Sequence, residues 1–271
     1  LETVYVKEIT APEGYVINKT VYPVHVSAGQ TVEIHAVDTR VKGKITVEKQ
    51  DVDTEEFLPQ GDAQLAGAVY GLYARADIQN PDGTGVLYEA GSLIAQQTFG
   101  ESGEIVFENL YLGEMYIKEI TAPEGYLLDE TEYDVTLSYE GQEVEVVTAA
   151  ERVTEQVMKQ AFQIIKISED GEQTETDLVA GAEFTVYLIS ELSQVKNGTL
   201  QPSNGSAFTA EDFTTYDFSE EDPAVTYENG EAVEVPVLVT DESGYAKSVE
   251  LPYGQYVVVE TKTPENLKQV N

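Results

Sequence analysis

The chain has 271 residues, of which 50 are acidic and 15 basic, for a net charge of −35. That balance excludes a general nucleic-acid binder, which needs a basic footprint, and argues against docking on anionic lipid or wall polymer. With no cysteine there is no disulfide or thiolate metal site, and no apolar run is long enough to span a bilayer or to serve as a signal peptide. Val, Thr and 17 Tyr recur in short alternating runs without a long helical period, which predicts an all-β fold.

Residues 1–41 open on YVKEITAPEGY (Tyr5–Tyr15), a strand that runs into a Pro-containing turn. Alternation places Val4, Val6 and Glu8 on one face. A carboxylate that ends an apolar stripe needs an explanation, because a lone buried charge is costly. The plain alternative is a strand end with its Glu solvated. Strands over Thr20–Val26 and Thr31–Asp38 follow, the second aligning Val32, Ile34, Ala36 and Asp38. His25 and His35 read as outward-facing strand residues with no nucleophile at motif spacing.

A complete unit is predicted over residues 42–153. Its first strand aligns Ile45, Val47 and Lys49, again a charge ending an apolar stripe. Asp51, Asp53, Glu55 and Glu56 lack the spaced glycine of an EF-hand loop and read as a solvated acidic loop, with no metal and no cofactor implied. After LAGAVYGLYA (Leu65–Ala74) and a turn at Asn80–Gly85 come strands near Leu93–Thr98 and Glu104–Phe107. Then YIKEITAPEGY (Tyr116–Tyr126) repeats the opening words with Ile117 for Val6, aligning Met115, Ile117 and Glu119. Strands over Tyr133–Tyr139 and Glu143–Thr148 close the unit, the last with Val144, Val146, Thr148 and Ala150 assigned to one face.

Residues 154–271 begin the pattern again. Phe162, Ile164 and Lys166 share a face, and LVAGAEFTVY (Leu178–Tyr187) answers Leu65–Tyr73. A polar, acidic insertion near 190–233 reads as an excursion with one short helix near Thr209–Phe213 and no dense aromatic cluster. A looser third copy, YVVVETKTPENL (Tyr256–Leu267), aligns Tyr256, Val258 and Glu260. Glu8 and Glu119 are 111 residues apart, Glu119 and Glu260 141, and Lys49 and Lys166 117. A period of that length is a whole domain.

The order strand–Lys–x–Asp, L-x-G-A-x-F, Y-x-x-x-E-x-x-A-P-x-G-Y and closing hairpin resembles the CnaB-type (SpaA-type, prealbumin-like) domain of Gram-positive surface adhesins and pilins. The resemblance covers the whole chain as part (1–41), whole (42–153) and part (154–271). The third copy departs from it at Ser168 and at TPENL. The resemblance implies tandem β-sandwiches in which a first-strand Lys condenses with an Asn or Asp on the last strand, assisted by a Glu. Carried over, Lys49 and Lys166 match the nucleophile, Glu8, Glu119 and Glu260 the assisting acid, and Asp38 the acceptor. Ala150 stands at the acceptor place of the middle unit, which leaves Lys49 and Glu119 as a buried ion pair. Glu151 and Glu155 lie nearby, but Glu is not the family's usual acceptor.

The function so implied is a non-enzymatic stalk or spacer of a bacterial cell-surface adhesin or pilus-like protein, extracellular and wall-anchored through regions outside this chain. The expected partners are neighbouring repeat domains of a longer protein and another copy joined by strand complementation, with no nucleic acid and no membrane insertion. The alternative is an adhesin module that binds a host extracellular ligand through the 190–233 insertion, since loops on β-scaffolds often carry function.

Overall fold

A computed structural model describes residues 2–168, 178–205 and 207–264. Strands are nearly its only regular secondary structure, and the chain divides into two compact units. Unit 1 comprises Leu1–Lys49, Ala66–Ala122 and Leu128–Val153, and unit 2 comprises Gln50–Leu65, Pro123–Leu127 and Thr154–Asn271.

Unit 1 contains β1 (Glu2–Lys7), β2 (Val21–Val26), β3 (Lys42–Asp51), β4 (Val69–Ala74), β5 (Leu93–Thr98), β6 (Glu104–Leu110), β7 (Gly113–Thr121), β8 (Glu132–Leu137) and β9 (Val146–Glu155), the ends of β3 and β9 running on into unit 2. A three-stranded sheet β6-β3-β9 and a four-stranded sheet β8-β7-β4-β5 enclose one core, in which Ile45, Val47, Leu72, Phe107 and Ile117 are fully buried. In β3 the buried residues alternate strictly: Gly43, Ile45, Val47, Lys49 and Asp51. The inward phase therefore carries two charges at its end.

The closing strand differs from the sequence expectation in phase. Lys42 N–H donates to Glu145 O and Val52 N–H to Glu155 O, the same offset twice, so β9 runs parallel to β3. That register turns Val147, Val153 and Glu155 inward and leaves Val146, Thr148 and Ala150 exposed. The adjacent Val146 and Val147 fit either phase as a sequence, and pairing with β3 selects one. Thr31–Asp38, expected as a strand, forms none, and Val32 and Val37 are exposed. A last strand of this type pairs with a first strand, as β9 does with β3, and among the described residues no such strand is beside it.

Unit 2 contains β10 (Gln163–Ile165), β11 (Glu183–Leu188), β12 (Leu238–Val239), β13 (Tyr245–Lys247) and β14 (Tyr256–Lys262), with sheet order β12-β11-β14 and β10 paired to β13. Val186, Leu188, Leu238 and Leu251 form its inner core. The insertion is a packed element. Phe208, Phe213, Tyr216 and Phe218 stack on one another and on Tyr187, with ring centroids 4.6–6.2 Å apart. Together with Leu192 and Val195 they cover Val257 and Val259, so β11 is buried on both faces over its last four residues. Their spacing in sequence hides this cluster, because the loop and not a strand or helix period brings the rings together. The predicted helix near Thr209–Phe213 is a 3-10 turn at Ala210–Phe213, capped by Thr209 and Asp212.

Candidate functional site

Two lysine-centred sites occupy equivalent places. In unit 1, β3 delivers Lys49 and β7 delivers Glu119 to the core, where they are 3% and 4% exposed. Across β7, Tyr70 of β4 stands opposite Glu119. The Lys49 ammonium lies 5.7 Å from the Tyr70 ring centre and 5.1 Å from that of Phe99. In unit 2, Phe184 of β11 stands opposite Glu260 of β14, and Lys166 lies 5.9 Å over the Phe184 ring. Here Lys166 Nζ and Glu260 Oε2 form an ion pair of 2.7 Å, both side chains largely buried. The aromatic residue at the end of LAGAVY and VAGAEF thus forms one wall of each site. Its identical place in the two copies was the available signal, and the Lys and Glu positions alone do not reveal it.

Glu119 and Glu8 are held from the same place in their hairpins. Glu119 Oε2 accepts the Asp129 N–H at 2.7 Å and Glu8 Oε2 accepts the Asn18 N–H at 2.6 Å. Asp129 and Asn18 in turn accept the N–H of Thr131 and Thr20, each at 2.9 Å. The underlying words, Asp129-x-Thr131-x-Tyr133 and Asn18-x-Thr20-x-Tyr22, follow the two APEGY turns. Glu8 and Asp38 are only half-buried.

The structure also relocates the acid of the closing strand. Ala150 is exposed, whereas Glu155 is fully buried at the end of β9. Glu155 precedes Lys166 by 11 residues, as Asp38 precedes Lys49. The count from the following Lys thus leads to an inward-facing residue of β9.

Asp51, expected in a solvated loop, is fully buried in unit 2. It accepts hydrogen bonds from Asp53 N–H at 2.8 Å, Thr54 N–H at 3.0 Å, Gln60 Nε2 at 2.9 Å and the Tyr126 hydroxyl at 2.8 Å. Burial and the Asp51 charge push the Tyr126 hydroxyl well above the usual tyrosine range, so it stays a donor. Partial burial works against ionisation of Asp53, but the Lys159 ammonium and the Gln60 amide outweigh it and hold its carboxyl below the ordinary range. Among the described residues no three metal-ligating side chains are grouped to hold an ion, and no helix is long and apolar enough to cross a membrane.

A buried Lys beside a buried Glu can exchange a proton with no change in net charge. The exchange yields a neutral amine and a protonated acid, the two species that amide condensation needs. Comparison with known proteins bears on the fold. The family model for SpaA, a prealbumin-like fold domain, matches residues 43–152 and 160–271. No curated protein sequence matches at a significant level. Among solved structures, the Bacillus anthracis TIE protein aligns with 99% of the chain at 23% identity and a TM-score of 0.61, the chain spanning 38% of its length. The group B streptococcus pilus 2b backbone protein aligns with 51% of the chain and 48% of its own length, at 24% identity and a TM-score of 0.33. A streptococcal ancillary pilin aligns with 98% of the chain and 68% of its own length, at 19% identity and a TM-score of 0.31.

Proposed function

The chain belongs to the SpaA family of prealbumin-like domains, and from that premise we propose that it is a shaft or spacer segment of a Gram-positive surface adhesin or pilus-like fibre. Its parts are residues 1–41, 42–153 and 154–271, and its work is mechanical: to hold a distal part away from the cell and to resist shear and proteolysis. It performs no turnover. Its partners are neighbouring repeats of a longer polypeptide.

The observation that carries this reading is the Lys166–Glu260 pair at 2.7 Å under the Phe184 ring, at the place where unit 1 buries Lys49 and Glu119. In the proposed reaction, proton transfer to Glu260 leaves the Lys166 amine neutral. The protonated Glu260 donates a hydrogen bond to the carbonyl oxygen of an acceptor side chain as the amine attacks it. An amide forms and the acceptor's nitrogen or oxygen leaves, as ammonia from Asn or as water from Asp. The sheets hold the groups in place, so proximity replaces an external catalyst. By analogy with disulfides, a cross-link that closes a loop of about 100 residues adds roughly 4–5 kcal/mol.

Tryptic mass mapping of the longer polypeptide tests the covalent step. Lys166 is expected in a branched peptide lighter by one ammonia or one water, and Glu260→Ala is expected to return it to a linear one. A linear Lys166 peptide from the wild type overturns the step.

A further inference from the structure

The 190–233 insertion has a counterpart in unit 1. Residues 75–92 leave the sheet after β4 and return at β5, and residues 189–237 leave after β11 and return at β12, which pairs with β11 as β5 pairs with β4. The shorter excursion turns at Asn80–Gly85, where the Asn80 N–H donates to Gly85 O at 2.9 Å and the Gly83 N–H to Asn80 O at 2.8 Å. Its Pro81 lies against Gly14 of the first APEGY turn, since a Cβ added at Gly14 would fall 3.0 Å from Pro81 Cβ. The longer excursion carries a hairpin, Val225–Glu228 paired to Glu231–Glu234, that turns through Asn229 and Gly230 at φ +50° and +79°. The Gly230 N–H at its tip donates to Asp53 O at 2.8 Å. Each excursion thus reaches, inside its own unit, a residue that belongs by sequence to the repeat before it: Gly14 in one case and Asp53 in the other.

The loop that receives the longer excursion is held at further points of unit 2. The Asp53 carboxylate pairs with Lys159 at 2.9 Å and accepts Gln60 Nε2 at 2.9 Å. The Asp62 N–H donates to Tyr253 O at 2.8 Å, Asp62 Oδ2 accepts the Gln255 N–H at 2.9 Å, and the Tyr253 hydroxyl donates to Glu124 Oε1 at 3.1 Å. Gly61, at φ +59°, permits this approach, because a Cβ there would collide with the Tyr253 carbonyl.

We propose that the insertion is a brace, whose Asn229–Gly230 tip seats on the Asp53–Glu55 loop so that residues 50–65 are stabilised by, and open together with, residues 154–271 and not with the repeat they belong to in sequence. The aromatic cluster anchors the base of the insertion on β11 and β14, and the hairpin spans from there to the loop. The role deepens the shaft reading, in which joints between repeats carry load, and it assigns the tip of the insertion to the chain itself and not to a host ligand. It does not use the covalent bond. A linear Lys166 peptide would leave the brace standing, and a free tip would leave the covalent step standing.

Hydrogen exchange of this chain, resolved residue by residue, tests the brace. The Gly230 amide is expected to exchange at least about tenfold slower than in a peptide of residues 223–236, and exchange at the peptide rate overturns the proposal. Replacing residues 226–233 with the dipeptide Asn-Gly keeps the Val225–Glu234 pair and removes the tip. The amides of Asp53, Thr54, Glu55 and Asp62 are then expected to speed up about fivefold or more, with those of Val47 and Ile117 unchanged. Unchanged loop amides in a folded shortened chain count against the brace decisively. Should that chain not fold, Leu188→Ala, which weakens the inner core of unit 2, must accelerate the Asp62 and Gln255 amides by the same factor and leave Val47 as it was. Loop amides that keep the rate of Val47 overturn the proposal.

Discussion

The two lysine sites are built from the same parts but are closed to different degrees. Lys49 lies under four strands of one sheet and faces two aromatic rings, and it is 3% exposed. The Lys166 side chain keeps 18% of its surface. The sheet over Lys166 has three strands among the described residues, and one ring, Phe184, is within cation–π range of it. Among the described residues, the glutamate strand has a neighbour on each edge in unit 1, β4 and β8, and one in unit 2, β11. Among the described residues, the more deeply buried lysine is the one whose opposing glutamate strand is flanked on both edges.

The largest expected effect follows from that depth. Glu119→Ala leaves Lys49 buried without the carboxylate proposed to balance it, and unit 1 should lose about 3–5 kcal/mol in denaturant unfolding. A loss under about 1 kcal/mol would show that Lys49 is balanced from elsewhere. Glu260→Ala should cost less, roughly 1–2 kcal/mol, because Lys166 can turn its remaining surface to water. Equal losses at the two sites would break the comparison.

The rings provide the next step down. A double-mutant cycle of Lys166→Met with Phe184→Leu should give a coupling of about 0.5–2 kcal/mol. The same cycle for Lys49 and Tyr70 should give less, since Phe99 still faces the ammonium. A larger coupling at Tyr70 would reverse the assignment of Phe99.

Unit 2 also has a latch that unit 1 lacks among the described residues. Hydrogen bonds from Ser193 and Tyr216 hold the Glu221 carboxyl below the ordinary glutamate range, against a smaller opposing effect of burial. A depressed acid stabilises the fold above its unfolded pKa, and that stability is lost as pH falls through the folded value. Below the usual glutamate range the insertion should therefore loosen before the sheets do, visible as faster exchange at Leu192–Lys196. Glu221→Gln should remove the pH dependence, and a pH-independent wild type would discard the latch.

Ala150→Asn should have the smallest effect, within about 0.5 kcal/mol, because position 150 faces water. Its intact mass should show no loss of ammonia. A condensed Ala150→Asn product would mean that β9 can slip by one residue.

The sequence by itself determined the class, the repeat and the charged ends of the stripes. Alternation in short Val, Thr and Tyr runs is local, and near-identical words at Tyr5 and Tyr116 give the same hairpin register in both places. Lys49 and Glu119 stood out as charges in apolar stripes, and burial followed, because β3 and β7 keep strict alternation. Tertiary structure decided whatever depended on a partner strand or on a loop. The phase of β9 was set by parallel pairing to β3, since Val146 and Val147 are equally apolar. Thr31–Asp38 alternates well yet makes no strand, and among the described residues no partner strand lies beside it. The insertion's aromatic residues have no period and meet only when the loop folds over β11 and β14. Asp51 is an acid among acids in sequence, and it is buried because four donors, one of them 75 residues away at Tyr126, converge on it. Period and local turn chemistry act over a few residues and can be read in order along the chain. Burial is a property of what lies opposite, and in a β-sandwich that is supplied from far away in sequence.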